Sequence, residues 1–329
     1  MNVLVTGGAG YIGSHAVKRL QGLGHNPVIY DNLSRGNEWA LLSDSVIGDI
    51  RDGERLIEIF KKFNIEVVMH FAALAYVGES VEKPEMYFDN NISGGINLIN
   101  SCLEFGIKHF IFSSSCAVYG LPSQIPIDES HSRLPISPYG ETKLAVEKVL
   151  DWYDRLGKLK HVSLRYFNVA GCDTEGEIGE WHSPETHIIP NVLLSSLGLK
   201  PEFRIFGDDY DTPDGTCIRD YVHVADLVEA HVLAMERLME TGRSEVFNLG
   251  NSRGFSVKEI VEECEKVTGA KINVATDNRR QGDPPVLVSD SKKVRAELGW
   301  RPAYSGIETI IQTHWDWLKK AKERGICNS

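Results

Sequence analysis

The run Val3-Leu-Val-Thr-Gly-Gly-Ala-Gly-Tyr-Ile-Gly13 decides how the first half of this chain folds. Residues 3–6 read as a short buried strand, a glycine-rich turn follows at once, and a helical pattern opens behind it. Gly8, Gly10 and Gly13 have the G-x-G-x-x-G spacing, and Gly7 adds the alternative G-x-x-G-x-x-G. The spacing alone is common; its place between a strand and a helix makes it a strong sign of a dinucleotide-phosphate turn. Gly7 and Gly8 permit backbone angles closed to other residues, and Gly10 removes a side chain where a pyrophosphate must approach. Gly13 allows the helix to pack closely on the strand, whose end then aims unpaired N–H groups and a positive dipole at the phosphates.

Outward from that turn the pattern repeats. Strands are expected at 3–6, 27–31, 45–49, 67–71, 110–113 and 162–165, and helices at 15–24, 53–62, 84–105 and 138–156. Short, wholly apolar strands alternating with helices imply a doubly wound, Rossmann-type, mostly parallel α/β sheet covered on both faces. After about residue 168 the alternation weakens, and segments 171–179 and 207–215 read as long loops. Helices are expected at 226–238 and 256–268, the second with a capping box of Ser256 and Glu259. The expected organisation is a nucleotide domain, 1–167, with a return segment near 216–240, and a smaller α+β substrate domain, 168–329.

Asp31 closes the second strand 18 residues beyond Gly13, close to the usual gap of about 20. A carboxylate there accepts the adenine-ribose hydroxyls and repels a 2′-phosphate, which favours NAD; Arg35, four residues on, keeps NADP open. Asp49 and Ile50 follow the third strand, where an adenine ring would lie.

The composition excludes several classes. With 35 basic against 46 acidic residues the chain carries a formal charge of −11, which opposes non-specific binding to nucleic acid or anionic lipid. An anionic substrate therefore needs a local arginine cluster. No segment approaches the roughly 18 apolar residues of a membrane span, and no secretory leader precedes the first strand, so a cytoplasmic location is expected. The six cysteines, Cys102, Cys116, Cys172, Cys217, Cys264 and Cys327, lack metal-ligand or redox-pair spacing, and no metal is expected.

Pro138-Tyr-Gly-Glu-Thr-Lys143 places Tyr139 and Lys143 four residues apart, on one face of the expected helix. A free tyrosine, with a pKa near 10, is a poor base at neutral pH. An adjacent ammonium and a positive nicotinamide ring both favour its phenolate, which could then take a proton from an alcohol. Ser115, ending the fifth strand, could supply a hydroxyl that fixes the substrate oxygen.

These motifs resemble the extended short-chain dehydrogenases/reductases and, within them, the UDP-glucose 4-epimerase family. The resemblance runs through Thr6-Gly-Gly-Ala-Gly-Tyr-Ile-Gly-Ser-His15, Val77-Gly-Glu-Ser80, Phe112-Ser-Ser-Ser115, Tyr166-Phe-Asn168, Gly215-Thr-Cys-Ile-Arg-Asp-Tyr221 and Arg280-Gln-Gly-Asp283. It implies a tightly bound NAD, proton removal from the sugar 4-hydroxyl by Tyr139, a transient 4-ketopyranose that turns over, and hydride return to the opposite face. By the same resemblance Lys143 holds the nicotinamide ribose and Ser115 the 4-oxygen. Gly7, Gly10, Tyr11, Ile12, Asp31, Asn32, Asp49, Ile50, Phe71, Ala72, Ala73, Asn90, Tyr139, Lys143 and Tyr166 are expected around the cofactor. Asn168, His187, Phe206, Arg219, Arg280, Asp283 and Leu287 join Ser115 and Tyr139 around the UDP-sugar. Arg219 and Arg280 answer the demand for local cations.

Three positions depart from the family pattern: Ala75 replaces a lysine, His187 an asparagine, and Leu287 a residue that varies at the edge of the sugar pocket. Leu287 implies partial tolerance of N-acetylated sugars. Cys116 and Ala117 after Ser115 leave no carboxylate for the acid–base step of a sugar-nucleotide dehydratase. A 4-epimerase of another UDP-sugar (N-acetylglucosamine, xylose/arabinose or glucuronate) stays open, as does a non-catalytic NAD sensor, though sensors usually lose the tyrosine–lysine pair. Family analogy implies a homodimer paired through helices 84–105 and 138–156.

Overall fold

The computed structural model describes residues 1–280 and 283–326; Cys327 lies outside the described residues. Its central sheet takes β1 (Asn2–Thr6), β2 (Asn26–Asp31), β3 (Ser45–Ile47), β4 (Val67–His70), β5 (His109–Ser115) and β6 (Lys160–Tyr166), with Glu245–Leu249 as the seventh strand. Across the sheet the order is seventh strand, β6, β5, β4, β1, β2, β3, and every neighbouring pair is parallel. From β1 the chain winds one way through β2 and β3, then the other through β4, β5 and β6, so the order reverses beside the glycine turn. Such a reversal opens a crevice at the carboxyl ends of the strands.

Strand β1 shows why the sheet must be covered on both faces. Val3 and Val5 belong to one apolar core with Val17, Leu20, Leu227 and Met235, from helices Tyr11–Gly22 and Val224–Thr241. Leu4, pointing the other way, joins Leu56, Phe60, Leu98 and Val146, from helices Gly53–Phe63, Gly95–Phe105 and Pro138–Arg155. The central strands therefore read as unbroken apolar runs.

Most expected elements occur, with shifted ends. The first helix begins at Tyr11 rather than 15, and Gly53–Phe63 and Pro138–Arg155 fall within a residue of expectation. The expected helix 84–105 is divided into Pro84–Tyr87, a wider π-helical segment Phe88–Gly94, and Gly95–Phe105. Gly94 sits there because a Cβ would come 2.8 Å from the Ile50 side chain. Helix Val257–Thr268 carries both halves of the Ser256–Glu259 capping box.

The sheet's return goes further than residues 216–240. Helix Val224–Thr241 packs on the sheet and feeds Glu245–Leu249 beside β6, a strand sequence reading missed because Glu245 and Asn248 interrupt its apolar run. A second core gathers Ile189, Val192, Leu193, Ile205, Tyr221, Ile260, Ile310 and Trp317. Around it lie helices Ile188–Ser196, Val257–Thr268 and Ile307–Glu323, and strand Ile218–His223, which pairs with Asn168–Ala170, Gly254–Ser256 and Val286–Leu287. A parallel pair, Phe203–Phe206 with Val274–Asp277, completes this smaller unit. No described helix is long and apolar enough to cross a membrane.

Candidate active site

The glycine turn is built as its spacing requires, with one correction. Gly7 has φ +72°, and a Cβ there would lie 2.6 Å from the Ala72 amide nitrogen. Gly8 needs no left-handed backbone; it lacks room, with Ile29 and the Val5 carbonyl 3.0 Å from any Cβ. A Cβ on Gly13 would meet the Gly7 carbonyl oxygen at 2.1 Å, the close helix-on-strand approach expected. Phe71 and Ala72, at the end of β4, thus abut the turn, and the Phe71 amide donates to the Thr6 carbonyl at 2.9 Å. Gly10 precedes the helix without a side-chain cap, which leaves N–H groups of the first turn, beginning at Tyr11 and Ile12, uncapped by any side chain.

Asp31 ends β2 almost buried. Its Oδ2 accepts from the Ala9 amide at 3.0 Å and its Oδ1 from Leu33 at 2.9 Å, while burial raises its pKa. Both oxygens keep lone pairs for ribose hydroxyls. Arg35 is committed elsewhere: it grips Glu79 at 2.7 and 3.0 Å and lies 5.3 Å from the Tyr76 ring centroid. The guanidinium that kept NADP open is therefore already paired. Asn32 donates to Asp49 at 3.0 Å, and Arg51 holds the Asp49 carboxyl well below the usual carboxylate range. Asp49 and Ile50 lie in the turn beyond β3, which stops at Ile47. Asn90, on the π-helical segment, donates to Asn91, which itself bonds both backbone groups of Leu74 and the Thr142 hydroxyl. That places the loop carrying Ala73 and the exposed Ala75 against helix Pro138–Arg155.

Ser115, Tyr139 and Lys143 come together at the carboxyl end of β5. Ser137 caps the helix, Pro138 starts it, and the Tyr139 phenol hydrogen-bonds Ser115. Gly140 permits this contact, because a Cβ there would lie 2.6 Å from the Ala117 carbonyl oxygen. Lys143, buried, donates to the Ser113 carbonyl at 2.7 Å, and its Nζ is 5.8 Å from the Tyr139 ring centroid. Electrostatics correct the expectation of a ready phenolate: burial pushes the Tyr139 phenol up to about 12. Burial likewise lowers Lys143 to about 7, against the opposing charge of Glu147. At neutral pH that amine holds its proton only part of the time, so it gives a phenolate less support than an ordinary lysine would, and a positive cofactor ring beside it would supply the rest. Tyr166 ends β6, its hydroxyl hydrogen-bonded to His231.

Lysine 143 gives a pH prediction. Unfolded, it keeps its proton up to about 10.4; folded, it releases it near 7. Between those values the unfolded state binds more protons, so this residue makes stability rise with pH. In cofactor-free protein, the melting temperature of Lys143→Met minus that of wild type should fall as pH goes from 7 to 10.5. A difference that stays constant or rises across this range contradicts the burial argument.

The remaining predicted residues belong to the smaller unit. Asn168 starts the short strand after β6, in register with Tyr221. Arg219 pairs with Asp283 and donates to the Ile218 carbonyl, while its chain neighbour Asp220 accepts from Asn251, Ser252 and Ser289. Arg280 lies 4.0 Å over the Phe206 ring, so Phe206 presents an aromatic face rather than a core plug. Gln281 and Gly282 of that motif lie outside the described residues. Leu287 is in register with Arg219 and packs with Cys116, Val118, Leu144 and Phe167, one residue from Ser115. His187 occupies the N-cap position of helix Ile188–Ser196 without a side-chain cap bond, its Nδ1 3.0 Å from Glu180 and 2.9 Å from Glu185. Burial opposes its charge, yet those carboxylates raise it to about 10. Sequence reading missed Gly140, Glu147, Glu180, His182 and Glu185, which only the folded contacts single out.

A dinucleotide turn at a strand-order reversal, with a serine, a tyrosine and a lysine beside it, defines an NAD-dependent enzyme of short-chain dehydrogenase type. The chain belongs to the NAD dependent epimerase/dehydratase family, whose pattern it matches over residues 3–250, and NAD is its cofactor. Within that family it is similar to the UDP-glucose 4-epimerase of Halalkalibacterium halodurans, 51% identical over 322 residues, 97% of this chain and 96% of the relative. Among solved structures it is similar to UDP-glucose 4-epimerase from Brucella ovis in complex with NAD, at TM-score 0.93 and 50% identity, covering 96% and 97% of the two chains. It is also similar to UDP-glucose-4-epimerase from Stenotrophomonas maltophila with bound NAD and formylated UDP-arabinopyranose, at TM-score 0.95 and 40% identity, covering 98% and 99%.

Proposed function

We propose that this chain is a UDP-sugar 4-epimerase that interconverts UDP-glucose and UDP-galactose through a transient 4-keto sugar. The observation that carries the reading is the Ser115–Tyr139 hydrogen bond beside Lys143, at the strand ends that flank the glycine turn. Bound NAD supplies a hydride acceptor that takes hydrogen from C4 and gives it back, leaving no net redox change. Tyr139 takes the proton from the 4-hydroxyl and later returns one, and Ser115 hydrogen-bonds the same oxygen. Lys143 orients the nicotinamide ribose from its anchor on the Ser113 carbonyl. Arg219, Arg280, Asn168 and the Nε2 side of His187 take the diphosphate; Phe206 and Asp283 take the uridine.

The direct test is incubation with a panel of UDP-hexoses and UDP-pentoses, without added cofactor, followed by chromatographic separation. UDP-galactose and UDP-glucose should each yield the same mixture; no C4 inversion of any UDP-sugar overturns the reading. Leu287 at the sugar edge also leads to partial inversion of UDP-N-acetylglucosamine, and its absence under conditions that convert UDP-galactose removes that part.

The chain works as a homodimer paired through its helices at 84–105 and 138–156, in the cytoplasm. In support of pairing, Met86, Phe88, Trp152 and Leu156 leave large apolar side chains exposed there, Trp152 by 61%. Sedimentation as a monomer at micromolar concentration rules this pairing out.

A further inference from the structure

Beside the substrate crevice, Glu180, His182, Glu185 and His187 gather four metal-ligating side chains within eight residues of one loop. One ligand atom from each lies within 4.8 Å of all the others. Glu180 and Glu185 are almost wholly buried, at 1% and 5% side-chain exposure, and among the described residues neither pairs with a lysine or arginine. Two buried carboxylates require two positive charges. Two imidazolium rings would supply them, and so would one divalent cation held by two neutral rings.

Geometry separates these alternatives. His187 Nδ1 is 3.0 Å from Glu180 and 2.9 Å from Glu185, and His182 Nδ1 is 3.4 Å from Glu180 and 3.2 Å from Glu185. Each Nδ1 carries at most one proton, which can make one well-aligned hydrogen bond but not two. Both oxygens of Glu180 accordingly receive no well-formed hydrogen bond. Two nitrogens and two carboxylates whose ligand atoms all lie within 4.8 Å of one another can surround one ion. A tetrahedral site with bonds of about 2.0–2.1 Å has ligand–ligand edges of about 3.3 Å, within the range that the four contacts cover. A further group is aimed at the cluster: His314 is fully buried, neither of its ring nitrogens has a hydrogen-bond partner among the described residues, and its Nδ1 is 3.8 Å from Glu180 Oε2. An imidazole in that place orients a ligating carboxylate from behind.

We propose that this loop binds one divalent transition-metal ion, zinc being the ion that its two-imidazole, two-carboxylate donor set fits. The ion enters past His187, whose side chain is 39% exposed. It ties helix Ile188–Ser196, whose N-cap position His187 occupies, to the cofactor turn, because the His182 ring sits edge-on to Tyr11 and Tyr76. Coordination through Nδ1 leaves the His187 Nε2 as an N–H donor toward substrate. The nearby acidic group Asp173, Glu175 and Glu177 does not compete, since Lys18 already bridges all three at 2.7–2.9 Å.

The test uses the NAD-bound protein, freed of metal with a chelator and titrated with cobalt(II) as a spectroscopic probe. One cobalt per chain should bind with the visible absorption of a tetrahedral site, and zinc should abolish that absorption. His182→Asn and Glu180→Gln should each weaken binding about ten-fold or more, whereas Asp173→Asn should leave it unchanged. Should Glu180→Gln fail to fold, the wild-type spectrum and His182→Asn decide. No visible band in the wild type, or a band that survives His182→Asn undiminished, overturns the proposal.

Discussion

Tyr139→Phe is expected to lower turnover of UDP-galactose by about 10²–10⁴-fold, the contribution typical of a positioned acid–base group, while NAD remains bound. The substitution removes one oxygen and keeps the ring, so the packing of helix Pro138–Arg155 should hold. What disappears is the proton acceptor that Ser115 fixes in place. Because burial holds the phenol up at about 12 without cofactor, its proton leaves only when positive charge is brought close to it. Wild-type kcat should therefore show an ionisation far below 12, and the variant should lose that limb of the profile. Stopped-assay rates across pH, with bound NAD measured after denaturation, check both parts. Turnover within a few-fold of wild type, with NAD retained, removes Tyr139 from the chemistry.

Glu147→Ala is expected to destabilise the chain by about 3–5 kcal/mol, the usual effect of stripping one partner from a buried ion pair. Glu147 is fully buried one turn beyond Lys143 and accepts from Arg165 Nε at 2.9 Å and Nη2 at 2.7 Å. Ser114 donates to it at 2.6 Å and Arg133 at 3.2 Å. Arg165 also donates to the Tyr119 hydroxyl at 2.8 Å, which in turn donates to Asn248 on the seventh strand at 2.7 Å. Removing the carboxylate leaves a guanidinium charged in the interior with only a phenol to meet it. The same change withdraws the negative charge that supports the Lys143 ammonium, so its proton should come off below 7. Denaturant unfolding at pH 7 measures the first effect, and Glu147→Gln should fall between the alanine variant and wild type. A loss below about 1 kcal/mol would mean that Arg165 finds other partners, which the contacts around it do not offer.

Much of this molecule was legible from residues alone. A glycine turn between strand and helix is a local device, and Val3, Leu4 and Val5, apolar at successive positions, can only belong to a strand covered on both faces. Tyr139 and Lys143 share a face because helical periodicity puts them there. Other features depend on which distant segments meet. Arg35 could have held a phosphate until the fold gave it Glu79, and Arg219 took Asp283 rather than its neighbour Asp220. The seventh strand was hidden because Asn248 is polar; its side chain is buried only because Tyr119 and Ile127, some 120 residues earlier, hydrogen-bond to it. Sequence spacing thus determined the cofactor turn, the strand–helix alternation and the tyrosine–lysine face, all set by contacts within a few residues. Tertiary structure alone decided the shifted proton affinities of Tyr139 and Lys143, the partners of the arginines and the gathering of Glu180, His182, Glu185 and His187. Burial and long-range pairing are properties of the packed chain, and no local pattern encodes them.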